Sequence, residues 1–241
     1  PILVGGQIPP VHPDFDGDPS VEERSSIADI FWGKEVIPHE TYVSTEKGYD
    51  ANLDVIVGHP GQLEKINSEY DNASGRIATE IIQQLGLFLH MPELSEAYDA
   101  IILDTGPTRN PIFRAAIRSA THMVVPFEAE EKSIQGIASM TQAIMSDNFS
   151  RNAEEQLSLV GFCPNKLEMH TSLHQKNMAM IRKNNPNTVF PDEIHIPKST
   201  EYPKRDAKDA KPKSIFHIAP KHKARVQAER VGRYVYEHVF A

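Results

Sequence analysis

Asp104 is the residue of this chain best placed to do chemistry. It follows the apolar run Ala100-Ile101-Ile102-Leu103 and precedes Thr105, Gly106 and Pro107. A carboxylate at the tip of a buried strand, with a pliant loop after it, can hold a magnesium-bound water beside nucleotide phosphates. An acid that merely caps the loop after a strand has the same local sequence, so this short pattern leaves both roles open. His170 and His174 stand four apart in an expected helix, with Cys163 and Glu168 nearby in sequence. That spacing can ligate zinc, but neither Cys-x-x-Cys nor His-Glu-x-x-His accompanies it. No Gly-x-Ser-x-Gly supports a serine nucleophile.

The elements around Asp104 read as strand, helix, strand. Ala100–Leu103 has the composition of a strand covered on both faces. Asn110 is suited to cap a helix and Pro111 to its first turn, and Ile112, Phe113, Ala116 and Ile117 recur at helical spacing. A strand is expected again at Met123–Phe127. This βαβ unit predicts parallel pairing, with Asp104 at the carboxyl end of a strand, where open α/β sheets bind ligands. Elsewhere, Ser26 is expected to cap a helix in SSIADIF, Leu53–Val57 to form a buried strand, and Ile77, Ile81, Leu85 and Leu89 to line a helix. Lys132–Met145 reads as a helix with Ile134, Ile137, Thr141, Ile144 and Met145 on its core face. Leu157–Cys163 reads as a strand ending in Pro164-Asn165-Lys166, Ile194–Ile196 as a further strand, and Lys221–Val239 as a closing helix.

At 241 residues the chain suffices for one large α/β domain, expected over residues 1–241. The single cysteine excludes an internal disulfide, and Cys163 in LSLVGFC suits a buried position in a reducing compartment. With no apolar run of eighteen residues and no signal peptide, a cytosolic location is expected. Charge is unevenly spread. Residues 196–241 carry eleven Lys and Arg against five acids, net +6, whereas the remainder carries 14 against 28, net −14. A basic C-terminal segment on an acidic body suits a polyanion surface, and equally a solvated face that balances the body.

Taken whole, the stretch from Tyr98 to Phe127 resembles the Walker B and switch region of the ParA family of partition ATPases. The matching residues are Tyr98, Asp99, Asp104, Thr105, Gly106, Pro107, Ala115, Ala116, Val125 and Pro126, continued by Glu128, Ser133, Gln135 and Gly136. Asp16-Gly17-Asp18-Pro19 is similar to that family's D-x-D-P turn, with Ser20 in place of the usual Gln, and SSIADIF is similar to its T-I-A-D-L segment. Ile196-Pro197-Lys198-Ser199 and, loosely, Lys211, Pro212 and Ile215 resemble its I-P-[RK]-S and K-P-I motifs. The resemblance implies a doubly wound, mostly parallel sheet with helices on both faces, of the P-loop NTPase type. It implies ATP/ADP and magnesium as cofactors, a homodimer, non-specific DNA and a ParB-like stimulating protein as partners, and a nucleoid-associated cytoplasmic location without a membrane. It gives Asp104 the magnesium water, places Thr105 and Gly106 beside the phosphates, and makes Asp18 the residue that orients the attacking water. Asn165 and Pro197 would meet the base, and Lys198, Lys204, Arg205, Lys221, Lys223 and Arg225 would face DNA phosphates.

One departure stands out. No G-x-x-x-x-G-K-[ST] occurs, and the nearest match, Gly33-Lys34, has Glu35 where a hydroxyl is needed and Ala28 where the first glycine should stand. Backbone N–H groups and the lysine of that loop carry most phosphate affinity. Either a preceding segment supplies the loop, or the chain is a non-hydrolysing scaffold or DNA-binding regulator. A MinD-like protein that lays its last helix on membranes is the third reading.

Overall fold

Helices are the commonest regular element among the described residues, and several begin where a local signal starts them. The computed structural model describes residues 25–40, 53–73, 75–106, 108–205 and 214–240, with main chain alone for Glu40 and Arg205. The expected Asp18, Lys211 and Pro212 lie outside the described residues. The chain divides after Ala120 into two compact units.

In the first unit, α1 (Ile27–Phe31) starts at Ser26, which forms a capping box with Asp29: the Ser26 Oγ accepts from the Ala28 N–H at 3.2 Å, and the Ser26 N–H donates to the Asp29 carboxylate at 2.8 Å. Then come β1 (His39–Glu40), β2 (Asp54–Val55), α2 (Pro60–Asn72), α3 (Arg76–Leu89), α4 (Pro92–Ala97) and α5 (Pro111–Ser119). Asn110 caps α5 through its Oδ1, and Pro111 follows at the position where a missing N–H costs nothing. Ala28, Ile30, Phe31, Val36, Ile66, Ile81, Leu85, Ala115 and Ala116 form the core.

Two strand expectations are corrected here. Ala100–Leu103 is not a strand: among the described residues nothing pairs with it, and Ile102 is 89% exposed. Apolar composition makes a strand only where a neighbouring backbone completes the ladder. Leu53–Val57 shrinks to the two-residue β2, antiparallel to β1 and half-buried rather than buried. Ile77 also faces out, because it lies in the first turn of α3, ahead of the buried Ile81 and Leu85.

The second unit contains β3 (His122–Glu128), α6 (Glu131–Phe149), β4 (Ser158–Asn165), α7 (Ser172–Asn184), α8 (Glu201–Arg205) and α9 (Lys223–Val239). Strands β3 and β4 are parallel, in register from His122 opposite Ser158 to Glu128 opposite Asn165, with α6 as the crossover. The ladder is irregular at Met123/Val124, where Leu159 and Gly161 are successive partners and Val160 is the extra residue. That bulge resets the alternation of side chains. Phe162 consequently packs with Ile137 of α6 and Met178 and Ile181 of α7, while Val160 and Cys163 pack with Val231, Val235 and Val239 of α9. Helices therefore cover both sides of the pair, as a parallel arrangement requires. Burial pushes the Cys163 thiol up to about 12. On α6 the expected core face is narrower than its pattern: Ile137 and Ile144 are buried, but Met145 is exposed.

Ile194–Ile196 is corrected as well. It forms no ladder: the Ile196 N–H donates to the Pro164 carbonyl at 2.9 Å and the Ile196 carbonyl accepts from the Leu167 N–H at 3.0 Å, while the chain ahead of it meets β4 separately at Val189, where the Phe162 N–H donates to the Thr188 carbonyl at 2.7 Å. Pro191 and Pro197 bracket the segment and remove two donors that a continuous ladder would need.

Gly161 occupies the bulge at φ +148°, and an added Cβ would lie 2.9 Å from the Phe190 Cδ1 and 2.9 Å from the Thr188 carbonyl oxygen. Gly161→Ala is expected to lower unfolding free energy by about 1–3 kcal/mol in urea titrations. Gly136→Ala, at a mid-helix position with nothing within 4 Å, should raise it by about 0.5–1 kcal/mol. A further prediction concerns His195, which is 6% exposed with neither ring nitrogen hydrogen-bonded among the described residues. Burial lowers its pKa from 6.5, the nearby Asp192 main chain opposes this without meeting hydrogen-bond geometry, and Lys223, Arg182 and Arg230 lower it further. A depressed folded pKa means that the unfolded chain binds the proton first on acidification, so this contribution is complete above about pH 6.5 and lost as pH falls through the folded value. Melting temperatures between pH 7.5 and 5 should decline less steeply for His195→Leu than for the parent.

Candidate nucleotide and nucleic-acid site

The expected site residues fall in both units, and each group is described within its own unit. In the first unit Leu103 packs at the edge of the core, and Asp104, Thr105 and Gly106 follow it as exposed residues. A Cβ on Gly106 would meet nothing within 4 Å, so the loop has room around it. Among the described residues no cation pairs with the Asp104 carboxylate. The Tyr98 hydroxyl donates to the Asp54 Oδ2 at 2.7 Å, tying the start of this segment to β2. That hydrogen bond, then burial and the Asp54 charge, pushes the phenol up to about 12. Sequence reasoning missed this tie because the partners are 44 residues apart.

In the second unit the carboxyl ends of β3 and β4 gather polar side chains. The Asn165 Oδ1 accepts from the Lys166 N–H at 2.9 Å. The amide is thereby oriented with its Nδ2 as the remaining donor, which makes no hydrogen bond among the described residues. Such a donor suits an acceptor on a purine edge. Lys166 itself sits at φ 50°, a left-handed conformation that costs about 1–3 kcal/mol for a residue with a Cβ. Its Nζ donates to the Glu128 Oε1 at 2.7 Å, closing the two strand ends, and this bond is the main reason the Glu128 carboxyl lies below its ordinary range.

Leu167 is buried, and its N–H donates to the Ile196 carbonyl at 3.0 Å while its carbonyl accepts from the Lys198 N–H at 3.2 Å. These bonds bring the buried Pro197 against the turn that follows Asn165. The segments that carry Asn165 and Pro197, two residues expected to meet one base, are thus joined by main-chain hydrogen bonds of Leu167. Next to them the Lys198 Nζ donates to the Glu168 Oε2 at 2.9 Å. That contact, aided by the charges of Lys198, His170 and His174 against some desolvation, holds the Glu168 carboxyl below its ordinary range. The zinc spacing finds another use: the His174 Nδ1 accepts from the Glu168 N–H at 3.1 Å, and among the described residues no cluster of His, Cys, Asp or Glu could hold a metal on its own.

The expected DNA-facing cations differ in availability. Lys198 and Lys204 are exposed but paired, with Glu168 and with Glu201 at 2.8 Å. Arg225 pairs with Glu229 at 2.8 Å, and its Nη1 donates to the carbonyls of Phe216 at 2.6 Å and Ile218 at 3.0 Å, so it braces the turn before α9. Lys221 and Lys223 are exposed at the start of α9 and make no ion pair among the described residues. The Arg205 side chain lies outside the described atoms. Glu128, Lys166 and Glu168 are the functional candidates that sequence reasoning passed over, although Glu128 stood in the matched run and Lys166 adjoined Asn165.

A family model described as an AAA domain matches residues 19–159. Protein IncC of Escherichia coli is 30% identical over 101 residues, which is 42% of this chain and 27% of IncC. The chromosome-partitioning ATPase Soj of Thermus thermophilus is 27% identical over 95 residues, 39% of this chain and 37% of Soj. These alignments therefore span only about a quarter to a third of those relatives. Among solved structures, pNOB8 ParA aligns with a TM-score of 0.62 at 15% identity, covering 90% of this chain and 79% of that one. Its complex with nonspecific DNA aligns with a TM-score of 0.54 at 16% identity, covering 89% and 77%. The fold is accordingly the doubly wound P-loop NTPase fold of the ParA type.

Proposed function

The chain belongs to the AAA-domain family, as a member of its ParA branch, and from that premise we propose that it is a nucleotide-dependent partition protein that binds DNA without sequence preference. The observation that carries this reading is that main-chain bonds from Leu167 hold the segment Ile196–Lys198 beside the turn that follows Asn165, at the carboxyl end of the parallel β3–β4 pair. A base held by the Asn165 Nδ2 and the Pro197 ring would have Lys198 beside it. Asp104 would hold the water shell of the magnesium ion, and Thr105 and Gly106 would lie along the phosphates. Bound magnesium nucleotide would supply charge neutralisation and the free energy of hydrolysis. Asp18 is assigned the positioning of the attacking water, on the resemblance of its turn alone.

DNA contact is assigned to the basic segment, supported by its net +6 against an acidic remainder and by the capture of pNOB8 ParA on nonspecific DNA. A face-to-face homodimer and a ParB-like stimulating protein complete the reading, which places the protein on the nucleoid. No helix among the described residues is long and apolar enough to cross a membrane. The exposed face of α9 mixes Arg230, Arg233 and Glu237, which makes a membrane surface the weaker partner.

Two measurements test this. Calorimetry on the protein from its full reading frame should show ATP binding that requires magnesium, and Asp104→Asn should weaken the magnesium-dependent part at least tenfold. Absence of heat would favour the scaffold reading. Binding to a 30-base-pair duplex of arbitrary sequence should fall about a hundredfold between 50 and 200 mM salt if a dimer neutralises about four phosphates. A flat response would remove DNA as the partner.

A further inference from the structure

We propose that Glu168 masks Lys198, so that its carboxylate and a DNA phosphate compete for the same ammonium group and the exchange between them sets DNA affinity. This rests on the DNA-binding reading and adds a regulating residue to it.

The contact joins two segments 30 residues apart, the turn after β4 and the loop after Pro197, with 2.9 Å between Nζ and Oε2. A salt bridge in such a place could instead serve to position the loop. The main chain decides between the two roles. The Leu167 N–H to Ile196 carbonyl and Lys198 N–H to Leu167 carbonyl bonds already fix the root of the loop without any help from the ion pair. On the other side, Glu168 is anchored independently, its N–H donating to the His174 Nδ1 and its carbonyl accepting from the N–H and Oγ1 of Thr171. Both backbones are held, so the carboxylate has no positioning left to do. What remains is its charge, lying across a lysine whose side chain is 62% exposed.

An ion pair this accessible is weak and exchanges readily. Phosphate is a good competitor because it presents several acceptor oxygens and because DNA binding releases condensed counterions. The Lys204–Glu201 and Arg225–Glu229 pairs are local to one helix each, and Arg225 is also committed to carbonyls. Glu168 therefore differs from the other acids near these cations: it reaches from a separate segment, and no structural contact of its own depends on its charge.

The test uses the full chain and fluorescence anisotropy with a labelled 30-base-pair duplex at 100 mM salt. Glu168→Gln should tighten binding about two- to fivefold, the worth of one exposed ion pair. Glu154→Gln, which removes an exposed acid on the turn before β4, calibrates the gain expected from net charge alone and should give less. The gain should vanish when Glu168→Gln is made on a Lys198→Gln background. The masking role is overturned if Glu168→Gln matches Glu154→Gln, if it weakens binding, or if its gain survives without Lys198. If the parent chain and every variant fail to bind the duplex, the DNA reading itself falls and this inference falls with it.

Discussion

Parallel pairing of β3 with β4 is the constraint on which the second unit depends. Two parallel strands cannot be joined by a tight turn, so the chain must leave the sheet, cross a face and return. Here α6 makes that crossing. Because the sheet is then apolar on both sides, a second layer must cover the opposite face, and α9 provides it with Val231, Val235 and Val239. The same geometry sends both strands out at one edge. Glu128 and Asn165 end opposite each other because the register is set four residues earlier, where Val124 pairs with Gly161 just past the bulge, at a backbone conformation that favours glycine. A polar site at that edge is thus a consequence of how the core closes.

At the strand ends local strain and long-range bonding balance. Lys166 adopts a left-handed conformation that a residue with a Cβ reaches only when its surroundings fix it. Three contacts do so: the Asn165 side chain on its N–H, Glu128 on its ammonium, and the burial of Leu167 immediately after. The conformation turns the chain sharply, so that Leu167 can bond to the segment around Pro197. A relaxed extended residue at 166 would carry the chain past that segment, and Asn165 would lose the neighbour that makes its free amide donor useful.

What could be read from sequence divides along the range of the interactions. Helices announced themselves through nearest neighbours. Ser26, and Asn110 with Pro111, marked two helix starts, and of the periodic Ile77, Ile81, Leu85 and Leu89 the middle two are buried. Strand β3 and strand β4 were legible because each is long and apolar enough to stand out. Ala100–Leu103 is as apolar but pairs with nothing among the described residues, and Ile194–Ile196 meets β4 only at Ile196 and builds no ladder; composition carries no record of a partner. The site shows the same split. Asn165, Pro197 and Lys198 were marked by motif, yet nothing in sequence showed that Lys198 meets Glu168 or that Arg225 is spent on the carbonyls of Phe216 and Ile218.

That last point changes how the charge of the basic segment should be understood. A net +6 over residues 196–241 suggests a broad cationic surface, and mean-field attraction would scale with that total. Short-range chemistry does not. A guanidinium that already donates to two carbonyls and a carboxylate gains little from a phosphate, because moving would leave those carbonyls unsatisfied. An exposed lysine facing one carboxylate loses little by exchanging it. The segment therefore contains at least two kinds of cation, those that hold the turn before α9 together and those that can change partners, and only the second kind can contribute counterion release when a polyanion binds. The steepness of any salt dependence would count exchangeable lysines such as Lys198, Lys221 and Lys223, and not the formal charge of the sequence.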